Sequence, residues 1–81
     1  MVLVSACVLV RSQRGMYDSV VDRIRELNCV NRVFPVLGRF DVVADVEAPD
    51  VSALGDTIII MGRLVGVVFT ETLVEIQYEE V

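Results

Sequence analysis

The sequence has no His, no Lys and no Trp, and it contains only two Cys. His is the commonest general base and the usual activator of a nucleophilic Ser or Cys, so the ordinary routes to catalysis are missing. Two Cys without close pairing are typical of a reducing compartment and offer no zinc or disulfide framework. These absences favour a protein that is not an enzyme, holds no metal or other cofactor and is cytoplasmic.

Positive charge is also scarce. Seven basic residues, all Arg, stand against 12 acidic ones, and the net charge is −5. Nucleic-acid binders carry a basic surface because phosphate contacts dominate their affinity, so direct nucleic-acid binding is not expected. No apolar run approaches the ~20 residues of a membrane span, and no leader pattern opens the chain, so no membrane association is expected either.

What the sequence has in excess is apolar side chain. Hydrophobic residues make up 54% of only 81 residues, a length that predicts a single domain over residues 1–81. A monomer this small cannot bury so large an apolar fraction in its own core. The excess therefore predicts a protein interface.

Periodicity predicts six elements in the order β-α-β-β-α-β. Period-2 or continuously apolar runs indicate strands, and three- and four-residue spacing indicates helices. The predicted strands are Met1–Val10, Val30–Leu37, Phe40–Glu47 and Val67–Tyr78, and the predicted helices are Met16–Asn28 and Asp50–Met61. With right-handed crossovers this order predicts an α+β, ferredoxin-like split βαβ fold: a four-stranded antiparallel sheet, order 4-1-3-2, with two helices on one face. Pro35 marks its strand as an edge strand.

The same patterns predict which side chains are buried. Tyr17 and Val51 are expected to head the core stripes of the two helices, and Phe40 is expected to face the helices from the third strand. The sheet face that the helices do not cover is too apolar to remain exposed to solvent. This predicts a homodimer packed sheet to sheet with about 800 Å² buried per partner. The expected interface residues are Leu3, Ser5, Cys7, Leu9 and Val43.

Two short motifs are candidate ligand sites. In the run Leu37–Asp41, Gly38 permits a tight turn, Arg39 offers a charge for a carboxylate, and Asp41 offers an acceptor for an ammonium group. In the last strand Thr70 and Thr72 are two apart, so their hydroxyls share a face. On these residues alone, an ordinary strand–strand turn and the β-propensity of Thr are the better explanations of the two motifs, and neither needs a ligand.

Together these motifs resemble a known family. The runs Val33–Val43 and Gly66–Val74, with a helix begun by Asp50 between them, are similar to the effector-binding (RAM) domain of the Lrp/AsnC, or feast/famine, transcription regulators. The resemblance implies a ferredoxin-like fold, dimers through the sheet face that can assemble into octamers, and an amino acid or similar metabolite that binds between dimers as effector. It implies ligand contacts at Gly38, Arg39, Phe40, Asp41, Thr70 and Thr72.

The sequence departs from the family pattern in three ways. Arg14 and Gly15 stand where the family often has Pro-Gly before the first helix. Leu37 stands where the family has a Thr, which removes a hydroxyl beside the expected pocket. The chain resembles the stand-alone form without a helix-turn-helix, so we expect a module that senses a ligand, oligomerises and co-assembles with a full-length regulator. The alternatives are a structural oligomerisation module without a ligand, and a small enzyme on the same fold.

Overall fold

The first strand, β1 (Val4–Ser12), lies inside the sheet with a neighbour on each side, which agrees with its apolar residues on both faces. The computed structural model describes residues 3–77. Its elements are β1 (Val4–Ser12), α1 (Tyr17–Arg25), β2 (Val30–Pro35), β3 (Val42–Ala48), α2 (Val51–Gly62) and β4 (Val67–Val74). The antiparallel strand order is β2-β3-β1-β4, which is the predicted 4-1-3-2 order read from the opposite edge. The predicted fold and the edge position of Pro35 are confirmed.

The core lies between the helices and one face of the sheet. Val8 and Val10 of β1 are fully buried, as are Val42 and Ala44 of β3, which pair with them across the ladder. Burial of a Val side chain stabilises the fold by roughly 1.5–3 kcal/mol, so this strip accounts for a large part of the hydrophobic stabilisation. Residues that alternate with these on β1 and β3 are only half-buried, and they form the open face of the sheet.

Both helices follow their sequence signals. In α1, Val20 and Ile24 are fully buried, and basic residues fill the last turn, where the helix dipole favours them. In α2, the Asp50 carboxylate caps the first turn by accepting from the Ala53 N–H at 2.8 Å. Within residues 3–77 no helix is long and apolar enough to span a membrane.

Three side chains predicted to face the core do not. Tyr17 is 50% exposed and Val51 is 71% exposed, because each is the first residue of its helix, where the sheet covers less of the side chain. Thr57 is buried in α2 instead, and its hydroxyl donates to the Asn28 carbonyl at 3.2 Å. Phe40 precedes β3, whose strand alternation begins only at Val42, and its ring turns to the open face.

Element ends differ from the predictions by a few residues. β1 continues to Ser12 because Arg11 and Ser12 still pair with β4, across a bulge. Helix α1 ends at Arg25, three residues before the predicted Asn28, and the chain turns through Cys29 with a positive φ of 73°. The predicted strand ends at Met1 and Tyr78 lie outside the described residues.

Gly66, just before β4, packs closely against the start of α1. Its φ is +96°, and a Cβ atom there would lie 3.0 Å from Val20 Cγ2 and 3.1 Å from Met16 Cε. We expect Gly66→Ala to lower the free energy of unfolding by about 1–3 kcal/mol in urea denaturation, through backbone strain and overpacking together. The control Gly62→Ala lies at the end of α2 with open space around it and should be neutral or slightly stabilising. Equal stability of the two variants would contradict this packing.

Candidate functional site

The turn between β2 and β3 lies against the end of β1, and Asp41 fastens it there. The Asp41 carboxylate Oδ2 accepts from the Ser12 N–H at 2.8 Å. The Asp41 N–H donates to the Val10 carbonyl, and the Asp41 carbonyl accepts from the Val36 N–H, both at 2.9 Å. Asp41 therefore positions the turn, and of its two carboxylate oxygens it is Oδ2 that does so.

Arg11 and two aromatic rings support the turn from the open face. The Arg11 Nε and Nη2 donate to the Arg39 carbonyl at 3.3 Å and 3.0 Å. The Arg11 guanidinium lies 5.6 Å from the Phe40 ring centroid, and that ring stacks on Phe69 with centroids 6.5 Å apart. These contacts make Phe40 part of the support of the turn.

A cleft of about 420 Å³ lies between this turn and the loop that joins β1 to α1. A volume of this size is within the range of small-ligand sites. Three arginines and one aspartate are among the residues that line it, so the lining has a net positive charge although the whole chain is acidic. The cleft is lined by Arg11, Ser12, Gln13, Arg14, Gly15, Tyr17, Gly38, Arg39 and Asp41.

A second, more apolar cleft of about 470 Å³ shares Tyr17 and Asp41 with the first. Pro35, Val36 and Leu37 line the rest of it. Leu37 is wholly exposed, so its side chain projects from the turn without closing the cleft. We name the first space the arginine cleft and the second the apolar cleft.

The two predicted threonines lie elsewhere. Thr70 pairs with Val10 and Thr72 with Val8 across the β1–β4 ladder, so both face the helix side of the sheet with those buried valines. They share a face, as predicted, but neither lines the arginine cleft. The structure thus brings Gly38, Arg39 and Asp41 together, with Phe40 behind them, and leaves the threonine pair apart on the edge strand.

The residues predicted for the dimer interface lie on or beside the open face. Leu9 pairs with Val43 and Cys7 with Asp45, Ser5 follows the same alternation, and Leu3 precedes the strand. The prediction assigned part of the last strand to this face without naming its residues. Phe69 and Leu73, each 52% exposed, lie there because they pair with Arg11 and Cys7. Their alternation with Thr70 and Thr72 along β4 is the signal that could have placed them.

The prediction missed the wall of the arginine cleft that the β1–α1 loop supplies, including Arg14. The available signal was topological: β1 and β3 are antiparallel neighbours, so the end of β1 lies beside the start of β3. Among residues 3–77 no group of three or more Cys, Asp and Glu side chains is placed to hold a metal ion.

Comparison with known proteins decides the family. The family model described as the Lrp/AsnC ligand binding domain matches residues 5–78. The chain belongs to the Lrp/AsnC ligand-binding domain family. No curated protein sequence matches this Lrp/AsnC domain.

Several solved structures are similar to this Lrp/AsnC domain. TTHA0845 from Thermus thermophilus has 33% sequence identity and a TM-score of 0.88, with 95% of this chain and 98% of that chain covered. FFRP-DM1 has 22% identity and a TM-score of 0.85, with 90% and 99% covered. Escherichia coli AsnC shares the fold at 19% identity and a TM-score of 0.85; 96% of this chain matches 54% of AsnC.

Cys7 provides a chemical probe of the open face. Burial, and then the negative charge of Asp45, raise the pKa of the Cys7 thiol above its ordinary value of 9.0. The folded domain therefore holds this proton more tightly than the unfolded chain, and the corresponding stabilisation is lost as pH rises above 9.0 through the folded pKa.

We expect iodoacetamide to alkylate Cys7 more slowly in the native domain than in urea at pH 9, because less thiolate is present. Trypsin cleaves after Arg11 and Arg25, so Cys7 and Cys29 fall in different peptides and mass spectrometry can follow Cys7 alone. Equal rates in native and unfolded protein would contradict the raised pKa.

Proposed function

We propose that this domain binds an amino acid or similar small metabolite at the arginine cleft, and that it oligomerises and modulates Lrp/AsnC-type transcription regulation. The observation that carries the proposal is the meeting of the Gly38–Asp41 turn with the β1–α1 loop around one cleft. Guanidinium groups there can receive a carboxylate, and the free Asp41 oxygen can receive an ammonium group. An α-amino acid carries both groups on one carbon.

The open face supports the oligomerisation part of the proposal. Leu73 and Phe69 are half exposed on the same face as half-buried Leu9 and Val43, so apolar side chains from three strands lie there. Glu71, opposite Leu9, and Asp45, opposite Cys7, lie among them. Exposed apolar patches of this kind mark protein interfaces. A second copy can cover the face in an isologous dimer, since the same residues then meet on both sides of a two-fold axis.

The regulatory part follows from linkage. A ligand that contacts the domain more tightly in one assembly state shifts the population toward that state by its difference in binding free energy. The dimer, a larger homo-oligomer such as an octamer, or a mixed assembly with a full-length Lrp/AsnC regulator would provide such states. No catalytic step is part of the proposal.

A second candidate is a structural oligomerisation module without a ligand. Leu37 favours it, because the residue before the glycine turn is a wholly exposed hydrophobe that offers no hydroxyl to a ligand. A module of this kind would form the same dimer and leave the arginine cleft empty. The two candidates therefore differ in ligand response and agree in assembly.

Ligand binding is tested by thermal unfolding with each of the twenty amino acids at millimolar concentration. A ligand at 100 times its Kd stabilises the native state by about 2.7 kcal/mol, so one amino acid or a related group should raise the Tm.

Asp41→Asn keeps an oxygen for the Ser12 N–H and removes the charge, so it should weaken binding about tenfold or more while the domain stays folded.

The matched control is Asp22→Asn. Asp22 lies on the outer face of α1 in an exposed ion pair with Arg25, which contributes little to stability. Its ligand response should equal that of the unsubstituted domain. A flat response across the whole panel would support the structural module instead, and an unchanged response in Asp41→Asn would contradict the placement of the site.

Dimerisation through the open face is tested by Leu73→Glu in sedimentation velocity. Leu73 lies on the open face, and Ile59 lies on the outer side of α2; each is 52% exposed, so Glu is compatible with the fold at both positions. A charge buried without a partner in the interface is strongly unfavourable, so Leu73→Glu should be monomeric while Ile59→Glu remains a dimer. Dimers in both variants would contradict the sheet-face interface.

A further inference from the structure

We infer that the ligand of the arginine cleft is an amino acid with a second carboxylate, aspartate or glutamate, and not a neutral amino acid. The inference rests on the proposed function and narrows its ligand class. It follows from the balance of charge in the cleft, from the lack of internal partners for that charge and from the shape of the neighbouring apolar cleft.

Positive charge is concentrated at the arginine cleft. Arg11, Arg14 and Arg39 line it, against Asp41 as the lining carboxylate, in a chain whose net charge is −5. The lining charges also come from two walls, because Arg14 belongs to the β1–α1 loop and Arg39 to the β2–β3 turn. Clefts lined by one sign of charge raise the local concentration of ligands of the opposite sign.

The three guanidinium groups lack carboxylate partners within the described part of the chain. The ion pair among residues 3–77 is that of Arg25 with Asp22, far along α1 from the cleft. Arg11 is held in place by the Arg39 carbonyl and the Phe40 ring, neither of which neutralises its charge. The positive charge is therefore available to a ligand.

An acidic amino acid has one charged group for Asp41 and one for each of two of the three lining arginines. Its ammonium group pairs with the Asp41 oxygen that does not accept from Ser12, and its α-carboxylate pairs with one guanidinium. The second carboxylate pairs with a guanidinium on the opposite wall. A neutral amino acid would leave that guanidinium without an anion. Because a charge-assisted hydrogen bond is about twice as strong as a neutral one, the neutral amino acid should bind more weakly.

The apolar cleft does not favour an aliphatic amino acid. An alkyl side chain gains binding free energy when walls remove it from water. Leu37 is wholly exposed and leaves one side of the apolar cleft open, and Tyr17 on the other side is half exposed. A ligand side chain there would keep much of its contact with water.

Titration calorimetry at low salt with isosteric pairs tests the inference directly. Glutamate should bind at least about tenfold more tightly than glutamine, or aspartate than asparagine, and leucine should bind more weakly than either acid. Glutarate, which has two carboxylates and no ammonium group, should bind more weakly than glutamate because Asp41 then lacks a partner. Sulfate at matched ionic strength should not displace the acid.

Arginine variants identify the residues that carry the preference. The double variant R14Q/R39Q should reduce the preference for glutamate over glutamine to within about threefold, since both exposed side chains can change without disturbing the core. The control R23Q/R63Q removes the same two positive charges from exposed positions on α1 and at the end of α2, away from the cleft, and should keep the full preference.

The outcomes separate this inference from the proposed function. Binding of a neutral amino acid as tight as that of its acidic isostere would overturn the inference and leave the proposed function standing. Equal binding of glutamate and sulfate would show a site that responds to charge alone and would overturn the inference as well. Binding of no amino acid at all would contradict both the inferred acidic ligand and the proposed ligand-binding function.

Discussion

The fold and its candidate surfaces depend on one constraint: β1 is apolar on both faces and must be covered on both. One face is buried under the helices, where Val8 and Val10 are fully inaccessible. The other face carries Cys7 and Leu9 and remains half-exposed in the isolated domain. The same strand ends at Ser12, whose N–H holds the Asp41 carboxylate, so the central strand also builds one wall of the arginine cleft. The buried core, the proposed dimer interface and the proposed ligand site thus all include residues of a single strand.

The sequence allowed the element order and the sheet order to be predicted, because they depend on local periodicity combined with right-handed crossovers. The edge position of Pro35 was predictable because proline has no N–H to donate within a sheet. Exposure at the helix starts was not predictable in this way. Tyr17 and Val51 fit the apolar stripes, but periodicity carries no information on how far the sheet extends beneath a first turn. The prediction that Phe40 faces the helices was wrong for a related reason. Phe40 lies in the turn before β3, where the alternation of a strand does not apply.

The candidate site also has a part that could be predicted from the sequence and a part that could not. The Gly38–Asp41 turn is visible as a motif because its residues are adjacent in sequence. Its opposite wall is not, since Asp41 and Ser12 are 29 residues apart and meet only through strand pairing. The structure also adds a role for Asp41, whose carboxylate holds the turn with one oxygen, while the other is the one assigned to the proposed ligand. This shared role explains why removing the whole carboxylate would confound structure with binding, whereas removing only its charge separates them.

The most direct test of the account is a titration of the ¹⁵N-labelled domain with glutamate, followed by amide chemical shifts. The account predicts that the largest shifts fall on the two segments that line the arginine cleft, Ser12–Tyr17 and Gly38–Asp41. Thr70 and Thr72, on the helix side of the edge strand, should change much less. Largest shifts at the threonine pair, or saturation by another amino acid with no change at the turn, would contradict the central claim that this cleft is the ligand site.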